Sequence, residues 1–124
     1  MLLESEFRDG VHVLRLKGRF VTGSDAELAS AKDQLQQTGI GKAVVDLTDV
    51  PYIDSTGLAF IVELHNAMQW RGGQLVLAGA NPRVREILAL TRIGEIVRTF
   101  ADRKSALAAL RAPETMAGAG GGAW

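Results

Sequence analysis

The run KAVVDL at residues 42–47 sets the strongest limit on how this chain can fold. Its β-branched and aliphatic residues favour a strand. The run is too continuously apolar for a strand that has one face in water. It therefore predicts a buried strand, around which the other elements must be arranged.

The rest of the chain alternates strand-like and helix-like patterns. Residues 2–8 and 11–17 alternate apolar and polar residues on either side of Asp9-Gly10, which predicts a β-hairpin. Further strands are predicted at residues 74–78 and 96–100, and helices from about residue 24 and at residues 55–70, 82–90 and 102–110. This order predicts an α/β fold with a sheet of mixed strand direction, mostly parallel.

The composition predicts one compact domain and excludes several kinds of site. The chain has 124 residues, no net charge and no cysteine, so disulfides, zinc–thiolate sites and thiol catalysis are excluded. No basic and apolar leader opens the sequence, and no apolar run approaches bilayer length, so we expect a cytoplasmic protein without membrane insertion. Basic residues stand singly, without interleaved aromatic residues, which argues against nucleic-acid binding. The glycine-rich residues 112–124 predict a flexible tail after a domain at residues 1–111.

The motif IDSTG at residues 53–57 lies between the buried strand and a long predicted helix. This spacing places the hydroxyl groups of Ser55 and Thr56 at a helix N-terminus, where backbone N–H groups and the helix dipole stabilise negative charge. A phosphate on Ser55 would therefore cost the fold little. Asp54 is interpreted as the helix N-cap, as a recognition residue, or as both.

Hydrolysis by Ser55 is not supported by the sequence. A nucleophile elbow has a glycine two residues before the serine, where this chain has Ile53. His65 lies ten residues further along the same predicted helix, about 15 Å away, so it cannot act as the base. His12 and His65 also lack the spacing of a metal site.

The apolar residues of the predicted helix leave two interpretations open. Leu58, Ile61 and His65 follow the rhythm of a core-facing stripe, whereas Phe60 and Leu64 lie on a different side. The helix is therefore either buried nearly all round or carries an exposed docking patch beside Ser55.

Three segments together resemble the STAS domain family of bacterial anti-sigma factor antagonists. They are VVDLTDVPYIDSTGL at residues 44–58, GGQLVLAGANP at residues 72–82 and LTRI at residues 90–93. The resemblance implies the STAS fold, in which about four helices pack on one side of the sheet. Many family members carry two acids after the second strand, whereas this chain has Arg19 and Val21 there.

The resemblance also implies a function by binding, with no catalysis, cofactor or metal ion. A protein of this type binds an anti-sigma factor that is also a serine kinase, and thereby releases a sigma factor. The kinase phosphorylates the serine that corresponds to Ser55, and a PP2C-type phosphatase removes the phosphate. The partner-binding residues expected around Ser55 are Asp54, Thr56, Gly57, Phe60, Leu64, Thr22, Ser24 and Asp25. An accessory subunit of a lipid or solute ABC transporter, a stressosome-type scaffold and a weak homodimer are left open.

Overall fold

The computed structural model describes residues 2–8, 10–18, 26, 29–30, 32–33, 41–70 and 72–111. Within these residues the chain forms five strands and three helices. The strands are β1 (Leu2–Arg8), β2 (Val11–Lys17), β3 (Lys42–Asp49), β4 (Gln74–Ala78) and β5 (Arg98–Phe100). The helices are α1 (Ser55–Trp70), α2 (Pro82–Leu90) and α3 (Arg103–Arg111), with a 3₁₀ turn at Ile93–Glu95. No helix of this described part has the length and apolar character needed to cross a membrane.

The strands form one mixed sheet in the order β1-β2-β3-β4-β5. β1 and β2 pair antiparallel as the predicted hairpin, and their last pair is Arg8 with Val11. Gly10 has a φ of +80° in the turn, a conformation that glycine adopts without steric cost. The other pairs are parallel. The mixed α/β sheet expected from the sequence is therefore confirmed.

The parallel pairing decides where the loops of the protein meet. β3 and β4 are neighbours and run in the same direction, so their carboxyl ends lie at the same edge of the sheet. The loops that follow them, residues 50–54 and 79–81, therefore lie side by side. β5 begins at Arg98, two residues later than predicted, and the preceding Val97 is fully buried in the core.

One face of the sheet, here the front face, packs against α1 and α2. Its core combines alternate residues of the strands with one stripe from each helix. From the sheet it includes Leu14, Leu16, Ala43, Val45, Leu47, Leu75 and Leu77; from the helices it includes Phe60, Ile61, Leu64, Met68, Val84 and Leu88.

The opposite face, here the back face, packs against α3. Val11, Val13 and Val44 form part of this second core with Leu107 and Leu110 of α3. The expectation of about four helices on one side of the sheet is therefore wrong in its placement. The described residues hold three helices, and the third covers the back face because both sets of alternating strand residues are apolar and need cover.

The segment between β2 and β3 is described only at a few positions. Ala26, Ala29, Ser30, Lys32 and Asp33 are helical there, in the region where the sequence predicts the first helix. The positions expected to contact a partner, Thr22, Ser24 and Asp25, lie outside the described residues, as do Arg19, Val21 and the tail at residues 112–124.

The idea of an exposed docking patch at Phe60 and Leu64 is wrong. Phe60 is 5% exposed and Leu64 is 1% exposed, and both belong to the front core. The buried stripe of α1 consists of Gly57, Phe60, Ile61, Leu64 and Met68. Leu58 and Val62 are only partly buried and lie at its margin. The alternative, a helix buried nearly all round, does not hold either, because the opposite side of α1 is exposed at Ser55, Ala59 and Glu63.

A buried carboxylate ties α3 to the sheet. Asp46 of β3 is 4% exposed and accepts hydrogen bonds from Thr48, through its backbone N–H at 2.9 Å and its hydroxyl at 2.5 Å. The first residue of α3, Arg103, donates to Asp46 at 2.9 Å and to Glu6 of β1 at 2.8 Å. Burial raises the pKa of Asp46, but the bonds from Thr48 and the charge of Arg103 outweigh it and hold the pKa below its ordinary value.

Replacement of Leu64 by glutamate should destabilise the domain strongly. A carboxylate at this buried position leaves a hole in the core and loses its hydration, so we expect at least about 3 kcal/mol less free energy of unfolding. Urea unfolding measures the loss. The matched control is Glu63→Ala at the exposed neighbour, which should stay within about 0.5 kcal/mol of the parent chain. An unchanged transition for Leu64→Glu would contradict its place in the core.

Replacement of Asp46 by asparagine should lower stability at neutral pH by about 2 kcal/mol, because Arg103 loses a charged acceptor. The folded pKa of Asp46 lies below its unfolded value, so its contribution is complete above the unfolded pKa and disappears as pH falls through the folded pKa. Urea unfolding at several pH values should therefore show the parent and Asp46→Asn converging in acid. The control Asp49→Asn removes an exposed carboxylate of the same strand and should cost less than about 1 kcal/mol at every pH.

Candidate functional site

The loop that leads from β3 to α1 is anchored in the front core. Val50 and Ile53 are each 1% exposed, and the backbone N–H of Val50 donates to the carbonyl of Leu47 at 3.0 Å. Pro51 between them is exposed, and Tyr52 is half-buried. The two buried side chains fix the loop to the sheet, and with it the first turn of α1.

Asn81 joins this loop to the neighbouring helix. Its side-chain oxygen accepts from the backbone N–H of Val84 at 2.8 Å and so caps α2. Its side-chain nitrogen donates to the carbonyls of Val50 and Pro51 at 3.3 and 3.4 Å. One amide group therefore holds the loop before α1 and the start of α2 together.

Asp54 is the N-cap of α1, as the sequence indicates. One carboxylate oxygen accepts from the backbone N–H groups of Thr56 at 2.9 Å and Gly57 at 3.2 Å. The Asp54 carbonyl accepts the first helical hydrogen bond, from Leu58 at 2.9 Å. The cap sets the residue at which the helix begins and hence the direction in which Ser55 points.

Ser55 is the first residue of α1 and is exposed, whereas Thr56 is half-buried. Within the described residues, the Ser55 hydroxyl forms no side-chain hydrogen bond, while Thr56 has a further interaction. Of the two hydroxyl groups, that of Ser55 is therefore the more available to another molecule.

A groove of about 510 Å³ runs from these hydroxyl groups along the side of α1. Its lining residues come from α1 and from the helical residues between β2 and β3: Ala29, Lys32, Ser55, Thr56, Ala59, Phe60 and Glu63. The small side chains of Ala29 and Ala59 leave space in the groove. Among these described residues, apolar atoms are combined with the positive side chain of Lys32 and the negative side chain of Glu63.

The structure brings together only some of the residues expected at the site. Ser55, Thr56 and the edge of Phe60 line the groove, and Asp54 caps the helix beside it. Gly57 is buried, and its backbone N–H donates to the capping carboxylate of Asp54. Leu64 lies in the core and does not line the groove.

Sequence reasoning missed four lining residues and the role of Asn81 in holding the loop. Ala59 and Glu63 follow Ser55 at intervals of four residues, a helical spacing that places all three on one side of α1. This spacing could have identified Ala59 and Glu63 from the sequence alone. Ala29 and Lys32 come from a distant segment, so no local pattern identifies them.

The histidines lie away from the Ser55 hydroxyl. His65 is ten residues further along α1, and His12 pairs with Ala43 at the opposite end of β3. Burial lowers the pKa of His12 below its ordinary value. Among the described residues, no group of three or more histidine, aspartate or glutamate side chains is placed to hold a metal ion.

Comparisons with known proteins match the sequence of this chain to one family. The STAS domain family model matches residues 3–106. The Anti-sigma-B factor antagonist of Listeria monocytogenes is 32% identical over 100 residues, covering 77% of this chain and 84% of the relative.

Solved structures show the same fold. The crystal structure of an anti-sigma factor antagonist from Mycobacterium paratuberculosis has a TM-score of 0.81 at 22% identity, covering 89% of this chain and 93% of that chain. The phosphorylated form of the Bacillus cell fate determinant SpoIIAA has a TM-score of 0.69 at 15% identity. The match covers 89% of this chain and 100% of that chain. With the family match over most of its length, the chain belongs to the STAS domain family.

Proposed function

We propose that this STAS domain is an anti-sigma factor antagonist that is switched off by phosphorylation of Ser55. It binds an anti-sigma factor that is also a serine kinase, and the bound anti-sigma factor releases its sigma factor. The domain acts through binding and not through catalysis. As the partner of an anti-sigma factor, it would act in the cytoplasm.

The observation that carries the proposal is the fixed presentation of the Ser55 hydroxyl. Ser55 is exposed at the start of α1, while Ile53 anchors the loop before it and Asp54 caps the helix that it begins. A kinase can reach this hydroxyl without unfolding the loop. A phosphate added there is stabilised by the N-terminal end of the α1 dipole.

The named relatives support the choice of partner. The Listeria monocytogenes relative is called an anti-sigma-B factor antagonist, and SpoIIAA has been solved in a phosphorylated form. By analogy, the kinase is the anti-sigma factor itself, and a PP2C-type phosphatase returns Ser55 to its free form. The transporter and scaffold functions remain as the alternatives that the binding experiment below separates.

The groove beside Ser55 is the proposed docking surface. Thr56 and the edge of Phe60 line it together with Ala59. The proposed contacts at Thr22, Ser24 and Asp25 would extend this surface. Asp54 and Gly57 contribute by fixing the start of α1. Leu64 is not part of this surface because it is buried in the front core.

Electrostatics alone can account for the switch. A phosphoserine adds about −1.5 to −2 charges. A partner carboxylate or ATP phosphate ~6 Å away, at an effective dielectric constant of ~20, is repelled by about 3 kcal/mol per unit charge pair. This corresponds to roughly a hundredfold loss of affinity. Release of the partner then needs no change in the fold of the domain.

The first prediction concerns the acceptor. Incubation with the cognate kinase and ATP should add one phosphate to the parent chain and none to Ser55→Ala, because the exposed hydroxyl has been removed. Thr56→Val removes the neighbouring hydroxyl and should still accept phosphate. Mass spectrometry of the intact chain reports both results. Unchanged phosphate uptake by Ser55→Ala would sink the assignment.

The second prediction concerns the switch. Ser55→Asp introduces one negative charge and should weaken binding to the anti-sigma factor by roughly a hundredfold. Ser55→Ala should bind at least as tightly as the parent chain. Calorimetry measures the affinities, and circular dichroism should show the same fold and a similar thermal transition for all three chains. Equal affinity of the Asp and Ala variants would refute the electrostatic switch and favour the scaffold or transporter functions.

A further inference from the structure

The groove beside Ser55 carries two opposite charges that do not pair with each other. Lys32 and Glu63 both line it, and neither forms an ion pair among the residues described. The seven ion pairs among the described residues all lie elsewhere, chiefly between β1, β2 and α3. Among the described residues that line the groove, Lys32 is therefore the cationic side chain, and no described carboxylate pairs with it.

Lys32 lines the groove with a long side chain that has many rotamers. Its side chain is half-buried, so part of its length packs against protein while part meets solvent. A lysine ammonium is a compact charge on a flexible four-carbon stem with three donors. The small side chains of Ala29 and Ala59 leave the groove open around it.

We propose that Lys32 is the internal counter-ion of phosphorylated Ser55. This inference rests on the proposed phosphorylation and adds a residue to its regulation. Ser55 and Lys32 line the same groove from different segments of the chain. A phosphate on Ser55 places acceptor oxygens in the groove, where Lys32 donates charge-assisted hydrogen bonds to them.

This pairing gives phosphorylation a second effect besides repulsion. In the unmodified chain, the Lys32 ammonium is available to an acidic group of a bound partner. In the phosphorylated chain, the phosphate engages Lys32, so the groove loses its accessible positive charge and gains a negative one. A partner whose acidic group binds Lys32 then loses this attraction and is also repelled by the negative phosphate.

The test measures the second pKa of the phosphate itself. Phosphoserine is installed at position 55 during translation with an expanded genetic code, so the sample needs no kinase. The ³¹P chemical shift is followed through the titration, which for phosphoserine lies near about pH 6. The chains compared are the otherwise unsubstituted phosphoprotein, Lys32→Gln and the control Lys104→Gln, which removes an equal charge from α3 on the back face.

A nearby cation favours the doubly charged phosphate and lowers its pKa. Lys32→Gln should therefore raise the phosphate pKa by about 0.3 to 0.7 pH units, the range expected for a partly exposed ion pair. Lys104→Gln should move it by less than about 0.1 pH units. Equal shifts in the two variants, or no shift in either, would overturn the role of Lys32. That result would leave the phosphorylation of Ser55 intact, because failure of the proposed function shows instead as absent phosphate uptake from the kinase.

Discussion

The structure depends on the burial of β3 from both sides. Residues 43–47 of this strand are all buried, with the front core on one side and α3 on the other. A strand in this position pairs with parallel neighbours, and parallel neighbours require crossover connections. One of these crossovers contains α1, so this deeply buried strand leads through the loop at residues 50–54 to the exposed Ser55.

The same constraint explains why the site is rigid although its central residue is exposed. Ile53 lies in the core two residues before Ser55, and Asn81 holds the carbonyls of the loop from the neighbouring crossover. The hydroxyl is thus presented from a fixed base. A charge added there changes what a partner meets at the surface, which fits a mechanism based on electrostatics and not on rearrangement.

Much of the fold could be predicted from local patterns, because local patterns decide where elements begin and end. Asp54 caps α1, and the glycines at residues 72–73 follow its end, so the predicted bounds of this helix are confirmed. Local patterns within a helix do not decide which side of the sheet the helix packs against. The periodicity of α3 shows that it has an apolar face, but only the strands it meets decide which layer it joins. The continuous apolar run of β3 contained that information, since a strand without alternation needs cover on both faces.

Only the part of the candidate site that lies at the start of α1 could be predicted from the sequence. Asp54, Ser55 and Thr56 are adjacent in the sequence and share one motif, so their grouping needed no tertiary information. Lys32 lines the same groove from a distant segment, and its place there depends on tertiary packing that no local pattern encodes. Phe60 and Leu64 were misjudged for a related reason. A helical stripe is wide, and its apolar residues alone do not show which of them lie at its centre.

The contact between Arg103 and Glu6 has a consequence for how the domain folds and unfolds. It joins residues 97 positions apart, so it closes nearly the whole described chain into a loop. The β1–β2 hairpin can form from local contacts, whereas this contact must wait until α3 has reached the back face. An interaction that forms after the transition state governs the unfolding rate and leaves the folding rate almost unchanged. We therefore expect the contact of Arg103 with Glu6 to contribute to the unfolding rate more than to the folding rate.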